Sequence, residues 1–341
     1  MSFLRTLLFV LFEVLLAPLQ LLGSLVYAFR IRFLNRARGI SGTAYEPFMA
    51  RWALHLVGSR CDEGADRISP HLSALSPFVR VTLMHSIAAA ARWSGYRGSF
   101  FAYPGPRPSP LMVMVSHRTH FFDRAMAAAT RAESPVRQVV VLGAGWDTRS
   151  YGVSPEGPDL EQWFALGERS IFEVDEPPTQ QHKIEALRGG SVDAEHVVFA
   201  PTNFNQHSWL DSLEAHGFDR GRPSFVLWEG VTMYLDDATV DETLGRIAGL
   251  PAGTQVAFDF LSRELVLAQK PFRIAGNYAR LGLGGFYGES WHFGLSTKQP
   301  VEDGVRSFVE ERGLKLSGFE TFGRETERRP VIGGLVLAEV A

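Results

Sequence analysis

The chain has 341 residues, 45% of them hydrophobic and 21% charged, with a formal net charge of −3. That composition fits one large globular domain, or one domain with a substantial elaboration, and gives no electrostatic case for binding nucleic acid. A single cysteine, Cys61, excludes an intrachain disulfide and a cysteine-based zinc site.

Residues 7–29 are almost wholly apolar, and Arg30, Arg32, Arg36 and Arg38 follow at once. A helix of that length reaches across a hydrocarbon core of ~30 Å. Glu13, Pro18 and Gln20 interrupt it, so it is not a clean spanning segment. Residues 1–38 are read as a hydrophobic N-terminal helix and membrane anchor, with the arginines keeping the main domain on the cytoplasmic side. Two alternatives stay open: a helix lying in the membrane interface, or an intramolecular helix or hairpin broken at Pro18. Residues 39–132 read as a helical elaboration, because 44–58 and 77–93 repeat apolar residues at helical spacing. The Pro-rich stretch 100–112 is a connection, and Ser134-Pro135 marks the end of the helix that follows it.

From 133 to 341 the pattern changes. Short apolar runs at 138–145, 170–175, 195–201, 224–230 and 254–260 alternate with helical stretches, and the last two strands fall in "LKLSGFE" and "PVIGGLVLAEV". Such alternation predicts a doubly wound α/β sheet, largely parallel and covered on both faces. Lys270–Pro300, rich in glycine and aromatics, reads as a lid or substrate-binding insertion over about 265–300.

The sharpest motif is Gly143-Ala144-Gly145-Trp146-Asp147-Thr148-Arg149, directly after the first strand. The glycines allow a tight strand-to-helix turn and close backbone approach to a ligand. Thr148 stands where the dinucleotide fingerprint requires a third glycine, which argues against NAD or FAD. The next strand ends at Glu173-Val174-Asp175, where an acid suits ribose hydroxyls, and Glu173 is the fallback for Asp175. Glu229-Gly230, after the fourth strand, offers a carboxylate for an ammonium group, and Arg118 or Arg149 a guanidinium for a carboxylate. His117, His120 and Asp123 share helical spacing, but that alone makes a poor metal site, and none is expected.

Four segments together resemble the leucine carboxyl methyltransferase family: "HRTHFFD" (117–123), "VVLGAGWDTRSY" (140–151), "FEVDEPPTQQHK" (172–183) and "GFDRGRPSFVLWEGVTMYL" (217–235). The resemblance spans about 110–340. It implies a Rossmann-like class I methyltransferase sheet of seven strands and S-adenosyl-L-methionine (SAM) as cofactor. By that resemblance Arg118 meets the SAM carboxylate, Gly143 and Gly145 line the methionine moiety, Asp175 holds the ribose hydroxyls, and Glu229 contacts the amino group; Ala144, Asp147, Arg149 and Gly230, in the same segments, are further cofactor-binding candidates. Asn203-Phe204 takes the adenine position, where the family commonly has Asp-Leu. The insertion at 153–168 and the hydrophobic N-terminus depart from the family pattern. The expected reaction is SAM-dependent O-methylation of a carboxylate or hydroxyl on a lipophilic small molecule. No general base stands out; Tyr234, His292 and His120 are the candidates. A membrane-attached SAM-binding or scaffolding protein without turnover, and a protein carboxyl methyltransferase, are the alternatives.

Overall fold

The computed structural model describes residues 2–104, 114–131, 136–151, 160–165, 167, 169–204, 208–298, 300–322 and 331–341. Most of the Pro-rich connection, the Ser134-Pro135 helix end and half of the 153–168 insertion lie outside these residues.

Seven strands form one sheet: β1 Gln138–Leu142, β2 Ser170–Asp175, β3 Val197–Pro201, β4 Ser224–Trp228, β5 Gln255–Leu261, β6 Lys315–Phe322 and β7 Gly333–Glu339. Their order is β3-β2-β1-β4-β5-β7-β6. The first five run parallel, and β7 enters antiparallel between β5 and β6. This is a doubly wound α/β sheet of seven strands, as the alternation of apolar runs and helical stretches predicts. The apolar runs are continuous because both faces are covered. Val139, Val141, Phe225 and Leu227 point into one core, and Val140, Leu142, Val226 and Trp228 into the other. The strand order reverses between β1 and β4, and the carboxyl ends there frame a crevice.

Before the sheet come α1 Ser2–Phe29, α2 Tyr45–Leu56, α3 Glu63–Ile68, α4 Pro77–Val79, α5 Ser86–Ser94 and α6 Met114–Ala129. Within it lie α7 Leu160–Ala165, α8 Pro177–Gly189, α9 Trp209–Ala215, α10 Asp237–Ala248, α11 Arg263–Val266, α12 Arg273–Gly282 and α13 Val301–Glu310.

The hairpin broken at Pro18, one of the alternatives, does not occur: α1 is one helix with Pro18 inside it. Packing on both sides of the proline overrides its local cost. Phe9 stacks on Tyr96 at 4.4 Å and Phe12 meets Trp93 edge-on, while Gly23 lies against Thr82 and Tyr27 hydrogen-bonds Glu46 at 3.4 Å. One face of α1 is thus fastened along the domain from Phe9 to Ile31. The other leaves Leu7, Leu11, Val14, Leu15, Leu22 and Leu25 more than half exposed. Among the described residues, the helix running from Phe3 through Asn35 is long and apolar enough to cross a membrane by length and composition.

Candidate functional site

A cavity of about 720 Å³ opens at the carboxyl ends of β1, β2, β4 and β5. Its floor is the loop after β1. Gly143 and Gly145 adopt φ of +65° and +42°, in the left-handed region that favours glycine. A Cβ at Gly143 would lie 2.3 Å from Val231 Cγ2. The Gly145 amide donates to Asp175 Oδ2 at 2.5 Å, and the Glu176 amide to Asp175 Oδ1 at 2.7 Å. Burial pushes the Asp175 carboxyl up to about 6, against the pull of those two amides. Each oxygen keeps a lone pair for a further donor. Thr148, by contrast, turns away from the cavity: its hydroxyl donates to Asp62 Oδ1 at 2.7 Å, tying the loop to the amino end of α3.

Beside the loop lies a buried charge network. Glu229 takes Arg118 Nε at 3.0 Å and Arg149 Nη1 at 2.8 Å, with Arg51 Nη1 at 3.5 Å. Arg118 also reaches Asp259 at 3.1 Å, and Arg149 reaches Asp147 and Asp123. Asp123 continues to Arg60, and Arg60 to Asp62. Burial alone would raise the Glu229 carboxyl, but Arg149, Arg118 and Arg51 outweigh it and hold it below the usual carboxylate range. Asp123 is held at about 2 in the same way, its burial outweighed by Arg60 and Arg149. In Asp259 burial wins, and the carboxyl rises. Four guanidiniums face five carboxylates in this network, an excess of one negative charge when all are ionised. Arg51 Nε and Trp146 Nε1, both buried and on residues of the cavity wall, have no hydrogen-bond partner among the described residues.

The far wall comes from the two ends of the chain's elaborations. Arg36, Gly39, Ile40 and Thr43 line it from the N-terminal side, and Leu283, Tyr287, Glu289, Trp291 and His292 from the segment after α12. Glu289 latches the two together. Its Oε1 accepts the Gly42 amide at 3.0 Å and the Ser41 hydroxyl at 3.3 Å, and its Oε2 accepts the Thr43 hydroxyl.

The structure brings most of the expected residues to one place. Arg118, Gly143, Ala144, Gly145, Asp147, Asp175, Phe204, Glu229, Gly230, Tyr234 and His292 all line the cavity. Four do not. Arg149 sits behind the wall, its Nε and Nη1 paired with Asp123, Asp147 and Glu229 and its buried Nη2 without a hydrogen-bond partner among the described residues, so Arg118, which lines the cavity, is the better placed of the two arginines. His120 packs edge-on to Tyr103, outside the cavity, and is removed as a base candidate. Asn203 lies outside the wall that its neighbour Phe204 forms. Glu173 pairs with Lys183 at 2.6 Å behind β2 and cannot replace Asp175. Of the histidine-acid cluster, His117 pairs with Glu320 at 2.7 Å while Asp123 holds Arg60 and Arg149, so the side chains diverge.

Arg51, Asp259 and Glu289 are the residues that sequence reasoning missed. Arg51 carried a signal: it falls three residues after Phe48 and one before Trp52, on the apolar stripe of α2. Asp259 likewise interrupts the apolar run of β5. Glu289 carried none.

Residues 102–248 match the family model for leucine carboxyl methyltransferase. A protein of Mycobacterium marinum, provisionally named an S-adenosyl-L-methionine-dependent methyltransferase, is 33% identical over 169 residues, 49% of this chain and 48% of its own. One of Mycobacteroides abscessus with the same provisional name is 30% identical over 198 residues, 56% of this chain and 59% of its own. The chain spans about half the length of the curated relatives it matches. Among solved structures, a DUF574 family protein from Streptomyces avermitilis superposes with a TM-score of 0.47 at 14% identity, covering 84% of this chain and 100% of that one.

Proposed function

We propose that this chain, whose residues 102–248 carry a leucine carboxyl methyltransferase family domain, binds SAM and transfers its methyl group to an oxygen of a lipophilic, acidic small molecule. The observation that carries the reading is the meeting, in one cavity, of the glycine loop, Asp175, and the pair Arg118–Glu229. SAM fits that donor set. It carries one net positive charge, which complements the single negative excess of the network. Asp175 would hold the ribose hydroxyls, and the Gly143–Gly145 backbone the methionine end. Glu229 and Asp147 would face the ammonium. Arg118 and Arg51 would take the carboxylate, with the unpartnered Arg51 Nε as a ready donor. Phe204 would wall the adenine.

When bound, SAM supplies an electrophilic methyl group on a sulfonium. The protein's own work is then alignment and exclusion of water, which the lid and the N-terminal wall provide. Burial pushes the Tyr234 phenol up to about 12, where it sits beside Thr43 and Trp291. It therefore keeps its proton at neutral pH and donates a hydrogen bond to the acceptor instead of removing a proton. Glu289 is occupied by Ser41, Gly42 and Thr43. A carboxylate acceptor, already ionised, needs no base and suits this wall better than an alcohol does.

The exposed apolar face of α1 supports an acceptor taken from a membrane. Because the opposite face packs along the domain, α1 lies on the bilayer surface in this reading, with Arg30, Arg32, Arg36 and Arg38 near the headgroups. SAM-dependent radiolabelling of lipid and small-molecule extracts, followed by mass spectrometry, tests the activity. Labelled methyl esters would support it. Tight SAM binding by calorimetry with no labelled product in any extract would leave a binding protein without turnover.

A further inference from the structure

The helix α12 carries an apolar stripe that none of the described residues covers. Ile274, Tyr278 and Leu281 stand 84%, 81% and 76% exposed, at positions i, i+4 and i+7 of one helical face. The opposite side of α12 is fixed to the domain: Gly276 lies against the backbone of Leu265 and Ala268, and Arg280 Nε donates to the Val266 carbonyl at 3.1 Å. The stripe is therefore not a loose segment that folds away. Between Glu264 and Glu289 the sequence contains no acidic residue but three cations, Lys270, Arg273 and Arg280, all exposed. The arginine-rich end of α1 shows the same bias, with no acid between Glu13 and Glu46.

The two apolar surfaces are joined. The chain leaves α12 through Leu283–Tyr287, where Tyr287 packs on Gly42, Phe286 lies 6.5 Å from Tyr27 of α1, and Gly288 abuts Arg36. That junction forms the rim of the cavity, through Arg36, Leu283 and Tyr287.

We propose that α12 is a second membrane-contacting element, which inserts Ile274, Tyr278 and Leu281 into an anionic leaflet and sets the cavity rim on the surface from which the acceptor enters. The inference rests on the reading that α1 lies on a membrane. A bilayer fits the stripe better than a second copy of the chain. A two-fold contact through this helix would bring like cations together, and three side chains fall far short of the ~800 Å² per partner of a stable interface. Insertion into lipid demands no shape complementarity, and the cations then find phosphates.

The test uses the full chain with Cys61→Ser and one environment-sensitive fluorophore, placed at Tyr278→Cys, at Leu15→Cys on α1, or at Glu310→Cys on α13. Vesicles of equal parts phosphatidylcholine and phosphatidylglycerol carry a nitroxide quencher on the acyl chain. Quenching at 278 and 15, but not at 310, is the expected result. Quenching at 15 alone overturns the role of α12 and leaves that of α1 standing; quenching at neither removes both. A spectral shift at 278 that follows protein concentration without vesicles assigns the stripe to a second copy and overturns the proposal. The variant Ile274→Asp/Leu281→Asp, exposed at both positions and outside the cavity, should lower vesicle affinity about tenfold with SAM binding unchanged. Wild-type vesicle affinity in that variant would refute the proposal.

Discussion

The two sides of the cavity are built in different ways. The sheet side is written in contiguous sequence: the glycine loop, Asp175 and Glu229 each stand at the end of a strand, and the strand order alone collects them. The helical side is assembled from distant pieces. Arg51 meets Glu229 across 178 positions of sequence, and Glu289 meets Gly42 across 247. The first kind of wall depends on backbone geometry, the second on pairs that form only once the helices have docked.

The most severe way to break this arrangement is to cut the network that joins the two sides without touching the cavity. Asp123→Asn leaves Arg60 and Arg149 short of a buried partner and should cost about 3–5 kcal/mol of stability, read by urea unfolding. A loss under about 1 kcal/mol would mean that the helical elaboration does not depend on this bridge. The sign with pH follows from the same group. Its carboxyl is held at about 2, below its ordinary value, so its contribution is present above the unfolded pKa and is lost as pH falls through about 2.

A more selective cut is Arg51→Ala. It should weaken SAM binding by about 1.5–3 kcal/mol in calorimetry, the range for a charged hydrogen bond. Unchanged affinity would confine the cofactor to the sheet side. For that side, Gly143→Ala forces a methyl group against Val231 and should cost about 1–3 kcal/mol. Val231→Ala in the same chain should recover part of that loss, which thermal melts would show; no recovery would place the strain in the backbone turn itself.

Titration gives a gentler probe. With its carboxyl near 6, Asp175 gains a proton as pH falls and loses the charge that strengthens its acceptance from a ribose. SAM affinity should fall by about tenfold in all as pH drops through about 6, and Asp175→Asn should flatten the profile. The smallest effect on stability belongs to the exposed face of α1: Leu11→Glu/Leu15→Glu should shift unfolding by about 0.5 kcal/mol or less while, on the proposed reading, abolishing vesicle flotation. Deleting residues 1–38 is a poorer experiment than it looks from sequence, because Arg36 lines the cavity and Phe9, Tyr27 and Ile31 are core.

This contrast explains what was legible in the sequence. Strand periods, the glycine loop and the strand-end acids are local patterns, so the sheet and the strand-end residues that meet in the cavity could be read in advance. Arg149 stands in the motif, but its guanidinium lies behind the cavity wall and pairs with three carboxylates, which spacing does not reveal. His120 misled because helical periodicity places it one residue from the Thr119 side of α6 without saying which neighbour, here Tyr103, claims it. Pro18 suggested a break because intrinsic preference is local, whereas the contacts of Phe9, Phe12 and Tyr27 that keep α1 whole are tertiary.

The Glu289 latch has a kinetic meaning. Its four hydrogen bonds to Ser41, Gly42 and Thr43 would have to open together for this part of the cavity wall to part. In the proposed reaction, unlatching to release the methylated product would set the pace of each cycle. Turnover should then slow with solvent viscosity and show an initial burst of one product per enzyme, and Glu289→Gln should shorten the interval between cycles.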